Sequence, residues 1–218
     1  MRATTDGLAA AQRPTWGSLF ELAVTVTCAL LLLGLGARIV PLVQQPGAWP
    51  GLIAVAVLAW VAADLVSGVV HWLCDTFFAE DTPVIGPAVI EPFREHHRDP
   101  LAITRRGFVG VNGANCAVVL PVLALAGWGE PSLRHAFALV FGFAVCLTNQ
   151  FHKWAHAPHV PRAAAWLQRA RVIVPSDHHA RHHRDGQAHA FCVASGWCNP
   201  LLDRFAVFAR LERRIRRA

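Results

Sequence analysis

The chain has 218 residues, enough for one domain with a sizeable core or at most two domains. Hydrophobic residues make up 54% of it and charged residues only 16%, so the apolar residues must be concentrated in long runs. The net charge is +6. A basic C-terminal segment accounts for part of it, and the bias of positive charge to one side of a membrane accounts for the rest. No nucleic-acid partner is needed to explain it.

Four apolar runs approach the roughly 20 residues that a helix needs to cross a bilayer. They extend over about 16–43, 49–73, 107–128 and 132–151. Helical periodicity is lost in stretches such as "GLIAVAVLAWVAA", which favours membrane spans over the buried helices of a soluble protein. We therefore predict an all-α, polytopic membrane protein with about four transmembrane helices and a cytoplasmic, histidine-rich cap of short helices.

The first run admits a second interpretation, because "CALLLLGLGA" follows Arg2 and Arg13 and is similar to the apolar region of a cleaved signal peptide. The run is long for such a region, so a retained span is favoured. The predicted organisation is an N-terminal tail and first span at 1–45, a main membrane domain at 46–205 and a basic, amphipathic C-terminal tail at 206–218 that suits the membrane surface.

The positive charges predict the orientation, because short basic loops stay in the cytoplasm. With four spans, both termini and the 75–106 loop share one side, which holds eighteen of the twenty Lys and Arg residues. The opposite side keeps only Arg38 and Arg134. Both termini and the loop are therefore predicted to be cytoplasmic, and of the twelve histidines only His135 does not lie on or beside that side.

The second run ends in "DLVSGVVHWLCD", which spaces Asp64, Gly68, His71 and Asp75 by four, three and four residues. On an α-helix, Asp64, His71 and Asp75 fall within roughly 20° of one line. An acid as deep in an apolar span as Asp64 is costly and usually functional. The alternative is that these polar groups bond a neighbouring helix.

Two further segments add histidines beside the spans. "EPFREHHRDP" predicts a short helix bounded by prolines, which offers two acids and two histidines, namely Glu91, Glu95, His96 and His97. "NQFHKWAHAPH" places Asn149, His152 and His156 on one helical face, and HxxxH lets one helix give a metal two imidazoles. Pro158 ends that helix, so His159 is expected to leave the face.

The segment "PSDHHARHH" predicts a short helix that Ser176 or Asp177 can cap. Its four histidines, at 178, 179, 182 and 183, fall within an arc of roughly 140° on an ideal helix. Four protonated imidazoles would repel one another at pH 7, so a cation that holds them neutral is the economical explanation. A solvated or pH-sensing cluster is the alternative.

Four histidine groups from separate segments thus converge on one side of the membrane domain. Roughly eight to ten imidazoles exceed the four ligands of one zinc ion and suit two metal ions. Imidazole binds iron, copper, nickel and zinc, so ligand type leaves the metal open. Asp75, Glu91 and Glu95 are expected as extra ligands or as partners that orient the rings.

Histidine boxes around a four-span core resemble those of the membrane-bound di-iron desaturases and hydroxylases. More narrowly, the chain resembles the Kua, or plasmanylethanolamine desaturase, family, which includes CarF-like bacterial proteins. The motifs that carry this resemblance occur in order between about Asp64 and Asp203: "SGVVHWLCDT", "EPFREHHRDP", "TNQFHKWAHAP", "HHARHH" and "FCVASGWCNPLLD". The N-terminal 45 residues lie outside it.

The resemblance implies an oxidoreductase of a bacterial cytoplasmic membrane, with two iron ions and dioxygen, that converts the alkyl ether chain of a plasmanyl phospholipid to the vinyl ether of a plasmalogen. A plant branch of the family desaturates an acyl chain near a phospholipid head group, so an acyl-lipid desaturase or a hydroxylase is the nearest alternative. A non-enzymatic metal-binding or regulatory membrane protein is the second alternative.

The resemblance also implies the site residues. The metal ligands would be His71, Asp75, His96, His97, His152, His156, His178, His179, His182 and His183, one or two more than two ions need. Those with a catalytic role would be His71, Asp75, His152, His156, His182 and His183. His189 is a reserve ligand, and Asn112, Asn115 and Asn149 would either hold water near the ligands or bond neighbouring helices.

Electrons must arrive from another protein, because no glycine-rich dinucleotide motif and no haem or flavin segment is evident. The basic cytoplasmic face would attract an acidic carrier such as cytochrome b5 or a ferredoxin. The other expected partner is the membrane phospholipid substrate; no nucleic acid is expected, and the sequence indicates no oligomeric state.

Overall fold

The structure, a computed structural model, describes residues 15–184 and 188–217, and this part of the chain contains helices and no strand. Four helices are long: α1 (Trp16–Val43), α2 (Trp49–Thr76), α5 (Phe108–Ala126) and α6 (Leu133–His156). The short helices are α3 (Glu91–Arg98), α4 (Ala102–Arg105), α7 (Arg162–Arg169), α8 (Ser176–Arg184), α9 (Asn199–Arg204) and α10 (Val207–Ile215), and a π-helical turn, Gly86–Ile90, leads into α3.

The long helices form a bundle in which α6 is central. It packs against α1, α2 and α5, and α1 also packs along α5. Three of the four, α1, α2 and α5, are long and apolar enough to cross a membrane. The fourth, α6, has 24 residues but carries polar side chains from Asn149 onwards. The prediction of an all-α membrane protein with about four spans and a cap of short helices is confirmed.

The outer surface of the bundle is apolar. Large hydrophobic side chains such as Leu30, Leu33, Leu58 and Leu125 are exposed on the long helices, where lipid tails can cover them. The bundle therefore presents a surface that suits hydrocarbon.

The first run is part of the bundle core. Cys28 and Leu35 of α1 are almost fully buried in one cluster with residues of α5 and α6. Cleavage as a signal peptide would remove these contacts. The N-terminal tail before residue 15 and the final residue, Ala218, lie outside the described residues.

The short helices gather at the histidine end of α2 and α6. The predicted bounds of α3 agree with the structure, since Pro92 lies in its first turn and it ends before Pro100. The last helix, α10, is anchored by Phe208, whose ring lies 5.2 Å from those of Trp72 and Phe191. The C-terminal tail is thus attached to the body of the protein at the level of the histidines.

The buried carboxylate of Asp64 holds the loop between α8 and α9 against α2. Its oxygens accept three backbone hydrogen bonds, from the amides of Ser195, Gly196 and Cys198 at 2.7, 2.8 and 2.9 Å. One turn on, the Ser67 hydroxyl accepts from the amide of Val193 at 3.0 Å. Asp64 therefore has a structural role, as the alternative expected, but its partner is a loop and not the neighbouring helix that the alternative named.

The same contact requires a glycine in α2. A Cβ atom at Gly68 would overlap Cys192 Sγ and lie 3.3 Å from its backbone nitrogen. We expect Gly68→Ala to lower the free energy of unfolding by roughly 1–3 kcal/mol, because overpacking forces the loop away from the helix. The measurement is thermal unfolding in detergent.

The matched control is Gly34→Ala in α1, where an added Cβ meets no atom within 4 Å. That variant should unfold at the wild-type temperature or slightly above it, because alanine has the higher helix propensity. Equal unfolding temperatures for the two variants would contradict the close approach of the loop to α2.

Candidate metal centre

Five histidines from three helices converge at the end of the bundle. One ring nitrogen from each lies within 4.8 Å of those of the others. The contributing helices are α3, α6 and α8, and the residues are His96, His152, His156, His179 and His183. Three of the four histidine segments contribute to this first group, and the segment at the end of α2 does not.

The ring nitrogens of the first group are spaced like ligands around one ion. His179 Nε2 lies 2.8 Å from His152 Nε2, 2.9 Å from His156 Nε2 and 3.1 Å from His183 Nε2. A neutral imidazole has one N–H, so these nitrogens cannot all satisfy one another by hydrogen bonds. With metal–nitrogen bonds of about 2.1 Å, ligands at right angles lie about 3.0 Å apart. The spacing fits a metal ion.

Burial keeps the cap histidines of this group neutral. Desolvation, reinforced by the neighbouring rings, holds the pKa of His96 and that of His179 well below the usual range. Burial also lowers the pKa of His183 to about 3. Because a metal binds the unprotonated imidazole, these lone pairs are available to an ion at neutral pH.

A second group is built around Asp75. Its carboxylate oxygens lie 3.3 Å from His71 Nε2, 3.2 Å from His97 Nε2 and 3.5 Å from His182 Nε2. The four candidate ligand atoms lie within 4.8 Å of one another. The Asp75 side chain is only 6% exposed, so a carboxylate and three imidazoles share a small space sheltered from water.

Backbone carbonyls orient two rings of the second group. His71 Nδ1 donates to the carbonyl of Phe191 at 3.0 Å, and His182 Nδ1 donates to the carbonyl of His189 at 2.7 Å. These bonds place the lone pair of each ring on Nε2. In the described part of the chain, neither Nε2 atom has a hydrogen-bond partner although both are buried. Two buried ring nitrogens without a hydrogen-bond partner are suited to bind a metal ion.

The two groups adjoin. The rings of His96 and His97, one from each group, have centroids 4.2 Å apart, and those of His71 and His152 lie 5.5 Å apart. Nine buried or half-buried ligands in two adjacent clusters suit two metal ions held side by side.

His178, one of the ten expected ligands, lies outside both groups. Its Nε2 accepts from Asn199 Nδ2 at 2.9 Å, and its Nδ1 lies 2.7 Å from the Arg181 guanidinium. His178 lies outside the groups because it is on the side of α8 that faces the loop held by Asp64. The other three histidines of α8 face α2 and α6. The His178 ring thus fastens that loop to α8.

Other expected residues also lie away from the ligand atoms. Glu91 and Glu95 are exposed on α3 and belong to neither group. The ring of the reserve ligand His189 is 51% exposed and lies 4.0 Å from Asp203, so only its backbone carbonyl reaches the site. His159 follows the end of α6 and is exposed, as predicted.

The three asparagines bond neighbouring helices. Asn115 Nδ2 donates to the carbonyl of Val145 at 3.1 Å and Asn149 Nδ2 to that of Val111 at 3.0 Å. Asn112 Oδ1 accepts from the amide of Gln150 at 3.1 Å. Of the two roles left open for them, the structure shows the interhelical one.

Sequence reasoning missed an apolar cavity that reaches the first group. It has a volume of about 760 Å³, counted with the space at its mouth, and its wall includes Val70, Ala114 and Val118 as well as His96 and His152. A second cavity of about 460 Å³, also counted with the space at its mouth, shares Val70 and Val118 and extends between α2, α5 and α6. The small residues of "GVNGANC" on α5 were the signal that could have indicated it.

Comparison with known proteins agrees with the motifs. Residues 60–218 match the family model described as a lipid desaturase domain. The plasmanylethanolamine desaturase of Myxococcus xanthus is 42% identical over 177 residues, which cover 78% of this chain and 62% of that protein. Plasmanylethanolamine desaturase 1 of Mus musculus is 39% identical over 174 residues, covering 75% of this chain and 64% of that protein.

A plant relative matches as well. Chloroplastic fatty acid desaturase 4 of Arabidopsis thaliana is 38% identical over 156 residues, covering 70% of this chain and 48% of that protein. The chain spans a little under two thirds of the length of the bacterial and mouse relatives. No solved structure matches it. The apolar long helices fit an integral membrane protein, and the match covers every histidine of both groups. The chain belongs to the lipid desaturase family.

Proposed function

We propose that the chain is a dioxygen-dependent membrane desaturase that holds two iron ions and converts the alkyl ether chain of a plasmanyl phospholipid to a vinyl ether. The observation that carries the proposal is that two adjacent groups of candidate metal ligands lie beside an apolar cavity, whose wall includes His96 and His152 of the first group. The names of the bacterial and mouse relatives support the ether substrate.

The proposed ligands are the two groups described above. His96, His152, His156, His179 and His183 would hold one ion, and His71, Asp75, His97 and His182 the other. Bound iron would supply the redox chemistry by which dioxygen removes one hydrogen from each of two adjacent methylenes. Two electrons and two protons complete the reduction of dioxygen to two water molecules.

The protein's own residues bind and orient the substrate chain. The apolar wall around Val70 and Val118 binds methylenes and excludes water, and the second cavity accepts the far end of the chain. His96 and His152 lie in the wall of the first cavity, so methylenes bound there are presented to the first group. The carbonyls that bond His71 and His182 keep those rings fixed during turnover.

We place the histidine end in the cytoplasm of a bacterium, with the chain in the cytoplasmic membrane. The basic residues that favour this orientation include Arg94, Arg98 and Arg105 beside α3 and α4. They would also attract an acidic electron carrier such as cytochrome b5 or a ferredoxin. Residues 46–205 would form the catalytic domain, and the tail from 206 would lie on the membrane surface.

Lipid mass spectrometry after acid treatment tests the proposal, using cells that contain alkyl ether phospholipids with and without the protein. Acid-released fatty aldehyde that depends on the protein is the expected result, because acid hydrolyses a vinyl ether. A new acyl double bond without aldehyde would replace the ether substrate by an acyl one, which is what the plant relative's name suggests for that protein. A hydroxylated chain would indicate a hydroxylase.

The cavity yields its own prediction. Ala114 lies in the wall of the first cavity, so Ala114→Trp should fill it and lower product formation by about tenfold or more while iron content stays at the wild-type level. The matched control is Ala124→Trp, ten residues on in α5, where the side chain is exposed and lines neither cavity. Equal activity of the two variants would exclude this cavity as the chain-binding site.

A further inference from the structure

Three cysteines meet in the core of the bundle, away from the histidines. They are Cys28 of α1, Cys116 of α5 and Cys146 of α6, and their Sγ atoms lie within 4.8 Å of one another. Each residue is at most 5% exposed. Cys146 precedes His152 by about 9 Å along α6, so this thiol group is separate from the candidate ligands of the metal centre. Half of the chain's six cysteines thus gather at one point, contributed by three helices.

The spacing of the sulfur atoms suits three ligands around one ion. A metal–sulfur bond is about 2.3 Å long, so three sulfurs at the corners of a triangle around a metal lie about 4.0 Å apart. The Sγ atoms of the thiol group already lie within 4.8 Å of one another. An ion can therefore bind all three sulfurs without a rearrangement of the helices.

The surroundings of the thiol group are apolar. The side chains packed in the same core cluster are aliphatic and include Val24, Val119 and Leu123. Cys28 Sγ donates to the backbone carbonyl of Cys116 at 3.2 Å, so this hydrogen bond stays within the group. Aliphatic side chains fill the rest of the core, so packing alone does not require three sulfur atoms at one point.

The ligand atoms of the thiol group select the kind of metal. Thiolate sulfur is a soft ligand that prefers Cu(I), zinc and iron–sulfur clusters. Structural zinc sites and iron–sulfur clusters use four protein ligands. Among the His, Cys, Asp and Glu side chains of residues 15–184 and 188–217, this group has three members. A soft ion that is stable with three sulfur ligands therefore fits best, and Cu(I) is such an ion.

We propose that Cys28, Cys116 and Cys146 bind one Cu(I) ion, which links α1 to α5 and α6. On binding, at least one thiol releases its proton to the solvent, so a thiolate balances the charge of the ion in the apolar core. The copper stays Cu(I), and no electron is transferred. The lipid desaturase match begins at residue 60, so the ion attaches the first span to the domain that follows. This role is structural and does not rest on the proposed reaction.

The test measures copper binding to the purified, iron-loaded full-length protein in detergent, equilibrated anaerobically with Cu(I) that a competing chelator buffers. The wild type should bind Cu(I) at the thiol group, and X-ray absorption at the copper edge should show sulfur neighbours at about 2.3 Å. Nitrogen neighbours alone, at about 2.0–2.1 Å, would place the copper on histidines and overturn the inference. The wild-type spectrum decides this point even if a variant does not fold.

Cysteine variants locate the site. Cys28→Ala and Cys146→Ala should each weaken Cu(I) binding by about 100-fold or more, because loss of a ligand costs at least as much as loss of a residue that only orients one. Cys74→Ala is the matched control, since Cys74 is a buried cysteine of α2 outside the group, and it should bind Cu(I) as the wild type does. Wild-type affinity in a Cys28→Ala protein with unchanged elution in gel filtration would overturn the inference.

Bound copper should also stabilise the bundle. At a free Cu(I) concentration a hundred times its dissociation constant, the unfolding temperature of the wild type should rise by roughly 5–10 °C. The rise should disappear in Cys28→Ala and persist in Cys74→Ala. Equal rises in all three proteins would assign the stabilisation to copper bound elsewhere and contradict the link between α1 and the other two helices.

Discussion

Replacing His179 by alanine should remove at least one metal ion per chain and lower desaturase activity by roughly 100-fold or more. His179 Nε2 is the common neighbour of three other ring nitrogens, at 2.8 to 3.1 Å, so its loss opens the centre of the first group. Metal content by elemental analysis and vinyl-ether formation by mass spectrometry check both parts of the expectation.

His159→Ala is the matched control, because His159 is an exposed histidine three residues beyond the end of α6. It should keep the wild-type metal content and activity. The variant His179→Ala must also be shown to be folded by its elution in gel filtration. Full metal content and activity in a folded His179→Ala protein would show that the converging rings do not bind the catalytic metal.

Asp64→Asn should destabilise the protein by about 3 kcal/mol and, with it, loosen the second metal group. Asp64 is fully buried, and Oδ2 accepts from the amide of Cys198 while Oδ1 accepts from two others. Asparagine keeps one acceptor oxygen but turns an NH₂ towards a backbone N–H, so two donors oppose each other. Thermal unfolding in detergent measures the loss.

The same variant should reduce metal retention, although Asp64 belongs to neither ligand group. The loop that it holds also carries the carbonyls of His189 and Phe191, which orient His182 and His71. Asp81→Asn, at an exposed acid, is the control and should change neither quantity. Wild-type stability in Asp64→Asn would mean that the three backbone bonds contribute little.

The four long helices could be predicted closely from hydropathy. The first run and α1 have the same bounds, 16–43, and α5 differs from its run by a residue or two. The larger difference is at α6, which continues to His156 although the apolar run ends at 151. Apolarity reports where lipid can lie, whereas a helix continues through polar residues as long as its backbone bonds are made.

The sequence predicts which histidines lie near one another, but it does not predict which of them are ligands or to which of the two groups each belongs. The spacing of the histidines on α8 predicts His178 as a ligand just as it predicts the other three. Only the position of the loop between α8 and α9 shows that His178 contacts Asn199 instead. Likewise, helical geometry aligned Asp64 with His71 and Asp75. In the structure, however, backbone amides of residues 195–198 donate to the Asp64 carboxylate, so it is not a metal ligand. The first contact joins residues 21 apart and the second joins residues more than 130 apart, and local periodicity contains neither.

The measurement that tests the account most directly is the iron content of purified full-length protein, with Mössbauer spectroscopy and a single turnover on an alkyl ether phospholipid. The account predicts two iron ions per chain, in two environments that match a five-histidine and a three-histidine, one-carboxylate group, and dioxygen-dependent formation of a vinyl ether. One iron ion per chain, or full activity with zinc in place of iron, would contradict it.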